Sequence, residues 1–385
     1  SLPLGHSVLV HTVASWAEEP GVGGGLYAWD SQVEMWGTHV VSNTARANSV
    51  PGEPDSGGGA YIRGGSASLW QNVFADNLAT RSGSGYGGGL ALAFVSNGEV
   101  RDNVFEGNLT TPRSGSFEGS GGGLFIIHSP GVLVEGNEVV GNFASGAGGG
   151  MYVDSSGAHL SRNWVMHNSA VMGGGMMLQG TTPITVSNSL LAHNSAATEG
   201  GGLLVGEPAP PPSKVYLLAN TFADNGDAGV LARDNAKLTL HNNLLAGHEA
   251  GIVVTGSGTI TMTIDTNLFW NETDTFVGGN AILDDPRFAP GYHLRTGSPA
   301  LDAGLPLAWF PIDLDGEFRP QDVGWDIGAY EGAWVWRVAL PQVTREYALI
   351  PIFSDDFDGG GLPAEWTPNM GSWSNPGDHL RGEYA

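Results

Sequence analysis

GGGMYVDSSGAHLSRNWVMHNSAVM occupies Gly148 to Met172, and GGGMMLQGTTPITVSNSLLAHNSAATE follows from Gly173 to Glu199. The second stretch restates the first. GGG triplets also begin at Gly23, Gly57, Gly87, Gly121 and Gly200, with reduced versions at Gly229 and Gly251, at spacings of 22 to 34 residues. Self-similarity at such a period means stacked repeats rather than an ordinary globular domain. After each triplet the residues alternate as in a short strand with one buried face. The expected inward pairs are Leu26/Ala28, Ala60/Ile62, Leu90/Leu92, Leu124/Ile126, Met151/Val153, Met176/Leu178, Leu203/Val205, Val230/Ala232 and Ile252/Val254. All are apolar, as a common core demands.

Further along each repeat comes an Asn series: Asn43, Asn72, Asn103, Asn137, Asn163, Asn220, Asn243 and Asn267, with Ser189 in the remaining slot. Apolar residues sit three before it (from Val40 and Leu69 onward) and two after it (from Ala45 and Phe74 onward). Five residues after it runs a second series: Asn48, Asn77, Asn108, Asn142, Asn168, Asn194, Asn225, His248 and Glu272. Asn tolerates the left-handed backbone of a sharp corner and can bond along a stack of equivalent residues. Coils of about 25 residues with Gly and Asn corners, stacked about 4.8 Å apart, describe a parallel β-helix. The two polar series read as corner ladders, hence scaffolding rather than a ligand-binding ribbon.

On the GGG-strand-Asn-Phe-Asn pattern, residues 6 to 285 resemble the right-handed parallel β-helix repeat proteins of bacterial surfaces. The expected fold is all-β: a right-handed solenoid of about nine to ten coils over 1–285, a loop-rich cap over 286–332, an apolar linker or docking segment over 333–353, and an incomplete β-sandwich-like tail over 354–385. The resemblance is nearly silent on activity, because lyases and adhesins share this fold.

After Asn271 the period breaks. SPALDAG, DLDG, RP and DIGAYE, between Ser298 and Glu331, resemble the terminal segment of β-helix proteins with a choice-of-anchor Q region, which implies a secreted, envelope-associated bacterial protein. A solenoid needs a polar cap over its open end, and this segment is the candidate. Asp313 and Asp315 alternate on a turn and could ligate Ca²⁺, although the remaining spacing of an EF-hand loop is missing. The competing reading has the cap carboxylates bonded to backbone amides and Arg319. Beyond it, the tail from Ser354 resembles the opening strands of a concanavalin-like jelly roll, and its 32 residues are too few to close a sandwich alone. Trp334, Trp336, Leu340, Ile350 and Phe353 in the apolar stretches before it are candidate docking residues.

Composition narrows the partners. The 39 acidic and 15 basic residues give a formal net charge of −24, which repels nucleic acid and anionic membrane. No apolar run is long enough to span a bilayer. With no cysteine there is neither a disulfide framework nor a thiolate site. The chain opens at Ser1 inside repeat-like sequence, which we take as the mark of a processed or trimmed N-terminus.

The residue between each inward pair should point out of the solenoid. These are Tyr27, Tyr61, Ala91, Phe125, Tyr152, Met177, Leu204, Leu231 and Val253: none charged, and together a stripe about 40 Å long that something should cover. Sugar rings stacking on Tyr27, Tyr61, Phe125 and Tyr152, the chain's own 333–353 segment, or a neighbouring subunit could do so. The loops 49–56, 80–86 and 110–120 precede GGG triplets and should decorate one edge.

Catalytic signals are thin. Asp154 and Arg233 on the next outward column stand three coils apart, roughly 14 Å, too far to share one bond. No adjacent coils supply a matched carboxylate pair for a hydrolase. His167 and His193 share one position a coil apart; a zinc pair there is conceivable, and exposed corner histidines are the plainer reading. Asn108-Leu-Thr110 and Asn271-Glu-Thr273 match the glycosylation sequon. The reading that results is an extracellular or cell-surface structural or adhesive protein, self-assembling or bound to surface glycans, with no cofactor beyond the Ca²⁺ option. The alternative is a carbohydrate-active β-helix enzyme or a carbohydrate-binding surface protein.

Overall fold

A computed structural model describes residues 2–10, 13–16, 22–47, 55–79, 85–111, 119–154, 157–206, 212–271, 273, 276–307 and 310–332, and the strands 372–374 and 381–383. A central coil runs through four short strands, as in Met151–Asp154, His159–Ser161, Trp164–Met166 and Ser169–Met172, and the coils from Leu203 onward through three. Equivalent strands of successive coils pair in parallel into four long sheets, here called A (the His159 position), B (Trp164), C (Ser169) and D (Met151). The pairing is in register: Met151 lies against Met176, Tyr152 against Met177, Val153 against Leu178 and Asp154 against Gln179. The architecture is the parallel β-helix that the repeat demands.

The expected inward residues are all buried except Leu26 and Val254, in the first and last coils of sheet D, which are half-buried. Phe74 and Phe105 stack inside the core with centroids 4.9 Å apart. At the far end, Val277 and Ala281 pack against the core and Ile282–Leu283 pairs with Leu268–Trp270.

Two polar ladders run the length of the solenoid. In one, the backbone N–H and Nδ2 of Asn108 donate to Oδ1 of Asn142, one coil on, at 2.9 Å each, and Nδ2 also donates to the Phe74 carbonyl at 2.8 Å. The first coil departs from the expectation. Asn43 donates to Asn77 and so belongs to the second ladder, while Thr38 heads the first by donating its N–H to Asn72 Oδ1. Accordingly Val40 pairs with Phe74 and Ala45 with Ala79, not with Leu69 and Phe74 as the spacing suggested. Thr38 broke the Asn pattern that set the alignment; Asn48 lies outside the described residues. The sequon at Asn108 is also inaccessible, because Asn108 is fully buried in its ladder.

The second ladder passes from Asn225 to a histidine: the Asn225 N–H donates to His248 Nδ1 at 3.0 Å. That nitrogen must stay unprotonated to accept, and burial lowers the His248 pKa to about 4 against the opposing pull of a backbone hydrogen bond and Asp224. A histidine whose pKa is depressed by folding adds stability above its unfolded value near 6.5, and this is lost as pH falls toward 4, by roughly 3 kcal/mol. Hydrogen exchange of the Asn225 and His248 coils should therefore accelerate between pH 6.5 and 4 beyond its intrinsic pH trend. In His248→Asn that excess should vanish.

Residues 286–332 differ from an end cap. They lie along the outer flank of sheet B: Leu314, Ala329 and Tyr330 pack on Leu190, Ala192 and Ala223, and Leu294, Ala300 and Ile327 on Leu244, Ala246 and Leu268. Hydrogen bonds fasten them: Gly328 N–H donates to the Asn242 carbonyl at 2.7 Å, and the Asn242 side chain donates to the Leu305 carbonyl and accepts from its N–H at 2.8 Å each. The outward side chains of these sheet B strands are apolar and could not face water as a row, which explains the placement.

The chain divides into two units, Ser1–Val335 and Trp336–Ala385. In the second unit Ser372–Ser374 pairs antiparallel with Arg381–Glu383. The docking candidates Trp334, Trp336, Leu340, Ile350 and Phe353 lie outside the described residues, as does most of the tail likened to a jelly roll.

Candidate binding groove

The glycine triplets do more than open strands. The first glycine of each has a left-handed backbone, φ +65° at Gly148. A side chain on the second, Gly149, would run into the carbonyls of Gly174 and Ser169. Glycine is the residue that permits both. The corner these residues make is concave, so the outer faces of the strands before and after it converge. The residue just before the triplet in several coils (Ser56, Tyr86, Ser120, Ala147 and Met172, with Ala228 before the reduced Gly229 version) is thereby turned toward the stripe of sheet D.

This corrects the expectation of a 40 Å exposed stripe. In the C-terminal half the corner closes on itself: Met177, Leu204 and Leu231 are buried with Ala147 and Ala228 in a second small core, and Tyr152, Met172 and Val253 pack against it. Phe125 is also buried, Tyr61 and Val253 are half-buried, and of the stripe's large side chains Tyr27 alone is plainly exposed. The chain covers most of its own stripe.

In the N-terminal half the same corner stays open as a cavity of about 300 Å³, lined by Ser56, Tyr61, Tyr86, Ala93, Phe94, Ser120, Phe125, Ile127 and Tyr152. The reason lies in strand Leu90–Ala93, whose outward residues are Ala91 and Ala93. Their neighbours in register are Tyr61 and Arg63 on one side and Phe125 and Ile127 on the other. Two small residues between large ones leave a hollow. Tyr86, Phe125 and Tyr152 stack successively, at 4.8 and 5.1 Å between centroids.

An exposed aromatic apron adjoins the hollow. Tyr27 stacks on Tyr61 at 5.8 Å, and Arg63 is held between the rings of Trp29 (4.6 Å) and Phe94 (5.1 Å). Phe94 is about half exposed and, like Asp30 and His128 at the same corner of other coils, has a left-handed backbone, φ +56°. Tyr86 and Phe94 were missed by sequence reasoning, which placed 80–86 in a loop. The available signal was the uncharged residue repeated just before nearly every triplet.

The other candidates are not brought together at this groove. Asp154 accepts a bond from Gln179 Nε2 at 3.2 Å, whereas Arg233 pairs with Glu199 (3.2 Å) and Asp234 (3.4 Å). His167 and His193 stack face to face, 4.9 Å apart and 7° from parallel, so their nitrogens lie in separate planes and do not converge on one ion. His193 Nε2 instead meets Tyr292 Oη at 2.7 Å, and that hydroxyl donates to Asp224. Burial, followed by Asp224, pushes the Tyr292 phenol above its ordinary range, so it stays protonated as a donor.

In the flank segment, the Asp313 oxygens accept the Glu317 and Glu331 N–H groups at 2.8 Å each, and Asp315 contacts His293 Nε2 at 2.8 Å. The Arg319 guanidinium donates to Glu331 (2.7 Å) and to the Asp326 and Gly328 carbonyls. Among the described residues no group of three or more His, Asp or Glu is disposed to hold a metal ion. Among the described residues no helix is long and apolar enough to cross a membrane.

No curated protein and no solved structure matches the chain significantly. The profile of the right-handed β-helix region, however, matches residues 24–209 and, in a second overlapping alignment, 116–269. The matches span the coils whose strands, ladders and concave corners are described above, and the chain belongs to the right-handed β-helix family.

Proposed function

We propose that this β-helix is an extracellular adhesive protein that binds glycans in the groove of Tyr61, Tyr86, Phe125 and Tyr152. One observation carries the reading: a concave surface of stacked aromatic rings edged by hydroxyls, the combination that packs against sugar faces while bonding their hydroxyl rims. An enzyme is the weaker reading, because a hydrolase needs two carboxylates 5–10 Å apart across the ligand and the nine lining residues include no acid, histidine or base. Fibre assembly through the stripe loses ground for a different reason: Met177, Leu204 and Leu231 are already packed within the chain.

Calorimetric titration of the full chain with a panel of oligosaccharides tests the proposal. Binding should be found, and Tyr86→Ala and Tyr152→Ala should each weaken it about tenfold, the value of one lost stacking ring, with the circular dichroism unchanged. Absence of binding across the panel, together with self-association that Tyr86→Ala abolishes, would replace the glycan with a second copy of the chain as the occupant.

A further inference from the structure

The groove is chemically two-sided. Ser56, Tyr86 and Ser120 form one wall, contributed by the strands that precede the triplets, and supply hydroxyls. The opposite side, formed by Ala93, Phe94 and Ile127, is wholly apolar and includes the hollow at Ala93, where the residues in register on either side are Arg63 and Ile127. No lining residue is charged, and Arg63, in register beside Ala93 on the rim, is held between two aromatic rings. A ligand that fits has hydroxyls along one edge and a compact apolar group along the other.

From this we infer that the groove selects neutral sugars bearing a methyl group, either a 6-deoxyhexose or an N-acetylhexosamine, with the methyl seated at Ala93. The inference rests on the groove being a saccharide site. Its physical basis is the seating of that methyl. A buried methyl gains about five- to tenfold in affinity over a hydroxyl that finds no partner there.

The test titrates the full chain with four disaccharide probes: rhamnose-terminated, N-acetylglucosamine-terminated, glucose-terminated and galacturonate-terminated. At least one methyl-bearing probe should bind at least fivefold more tightly than the glucose probe, and which one does so identifies the source of the methyl. Ala93→Leu, which fills the hollow, should erase the preference, so that methyl-bearing and glucose probes bind alike; Ile127→Ala, which widens it, provides a second variant if the first fails to fold. Equal affinity for methyl-bearing and plain probes, lost in Tyr86→Ala, would overturn this inference and leave the saccharide groove standing. Tightest binding by galacturonate would overturn it as well. No binding by any probe would sink both.

Discussion

Asn142→Ala is expected to destabilise the solenoid by about 3–6 kcal/mol, the largest loss we anticipate from any single truncation. The Asn142 side chain makes five hydrogen bonds: it accepts from Asn108 N and Nδ2 (2.9 Å each) and donates to the Phe105 and Val140 carbonyls (2.8 and 3.2 Å) and to Asn168 Oδ1 (3.0 Å). Alanine removes all five and strands a buried N–H and a buried carbonyl away from water, each at about 1–3 kcal/mol. Because each ladder residue is bonded to the coils on both sides, the damage should propagate. Chemical denaturation should show it as an earlier midpoint, with Asn97→Ala, an exposed asparagine, as the control that shifts stability by less than about 0.5 kcal/mol. Equal effects at Asn97 and Asn142 would mean that the ladders contribute no more than the surface does.

Arg319→Met should release the flank segment while leaving the coils intact. The guanidinium is fully buried and holds Glu331 together with two carbonyls, so its removal leaves a buried acid without its countercharge, at about 3–5 kcal/mol. The pH dependence has a definite sign. Burial pushes the Glu331 carboxyl up to about 7 despite the opposing pull of Arg319. An acid whose pKa is raised by folding contributes stability below its unfolded value of 4.5, and this is lost as pH rises through 7. Losing Arg319 raises the carboxyl further, so the difference between wild type and variant should widen from pH 4.5 to 8. Hydrogen exchange over 286–332 measures it directly. Arg319→Met/Glu331→Leu should recover much of the protection, since paired removal leaves no orphaned charge.

Much of this fold was legible in the residues, for a physical reason. Alternation after the triplets reports which side chains share the interior, and polar ladders need Asn at fixed offsets, so both patterns survive insertions between coils. The first coil slipped because Thr38 stands where the ladder elsewhere has Asn, and a pattern keyed to Asn moved to the next one, Asn43. Alternation does not say whether a corner is convex or concave. It assigned Met177, Leu204 and Leu231 to the outside correctly, yet could not show that Ala147 and Ala228 fold back to cover them. That depends on the left-handed glycines bending two strands toward each other. The flank segment had a local signal that was passed over: on sheet B the outward residues are Val104 and Glu106 in an early coil, but Leu190 and Ala192, then Leu244 and Ala246, in later ones. A face that turns apolar coil after coil is a face with a partner.

The central claim, that the hollow between Tyr61 and Phe125 receives a sugar ring, is tested most directly by a crystal structure of the protein soaked with a neutral oligosaccharide that binds in titration. The account predicts a ring lying flat against the free face of Tyr86 or Tyr152 at van der Waals distance, about 4 Å, with its hydroxyls toward Ser56 and Ser120. A sugar bound elsewhere, or a groove filled by the C-terminal segment of the same or a neighbouring chain, would contradict it.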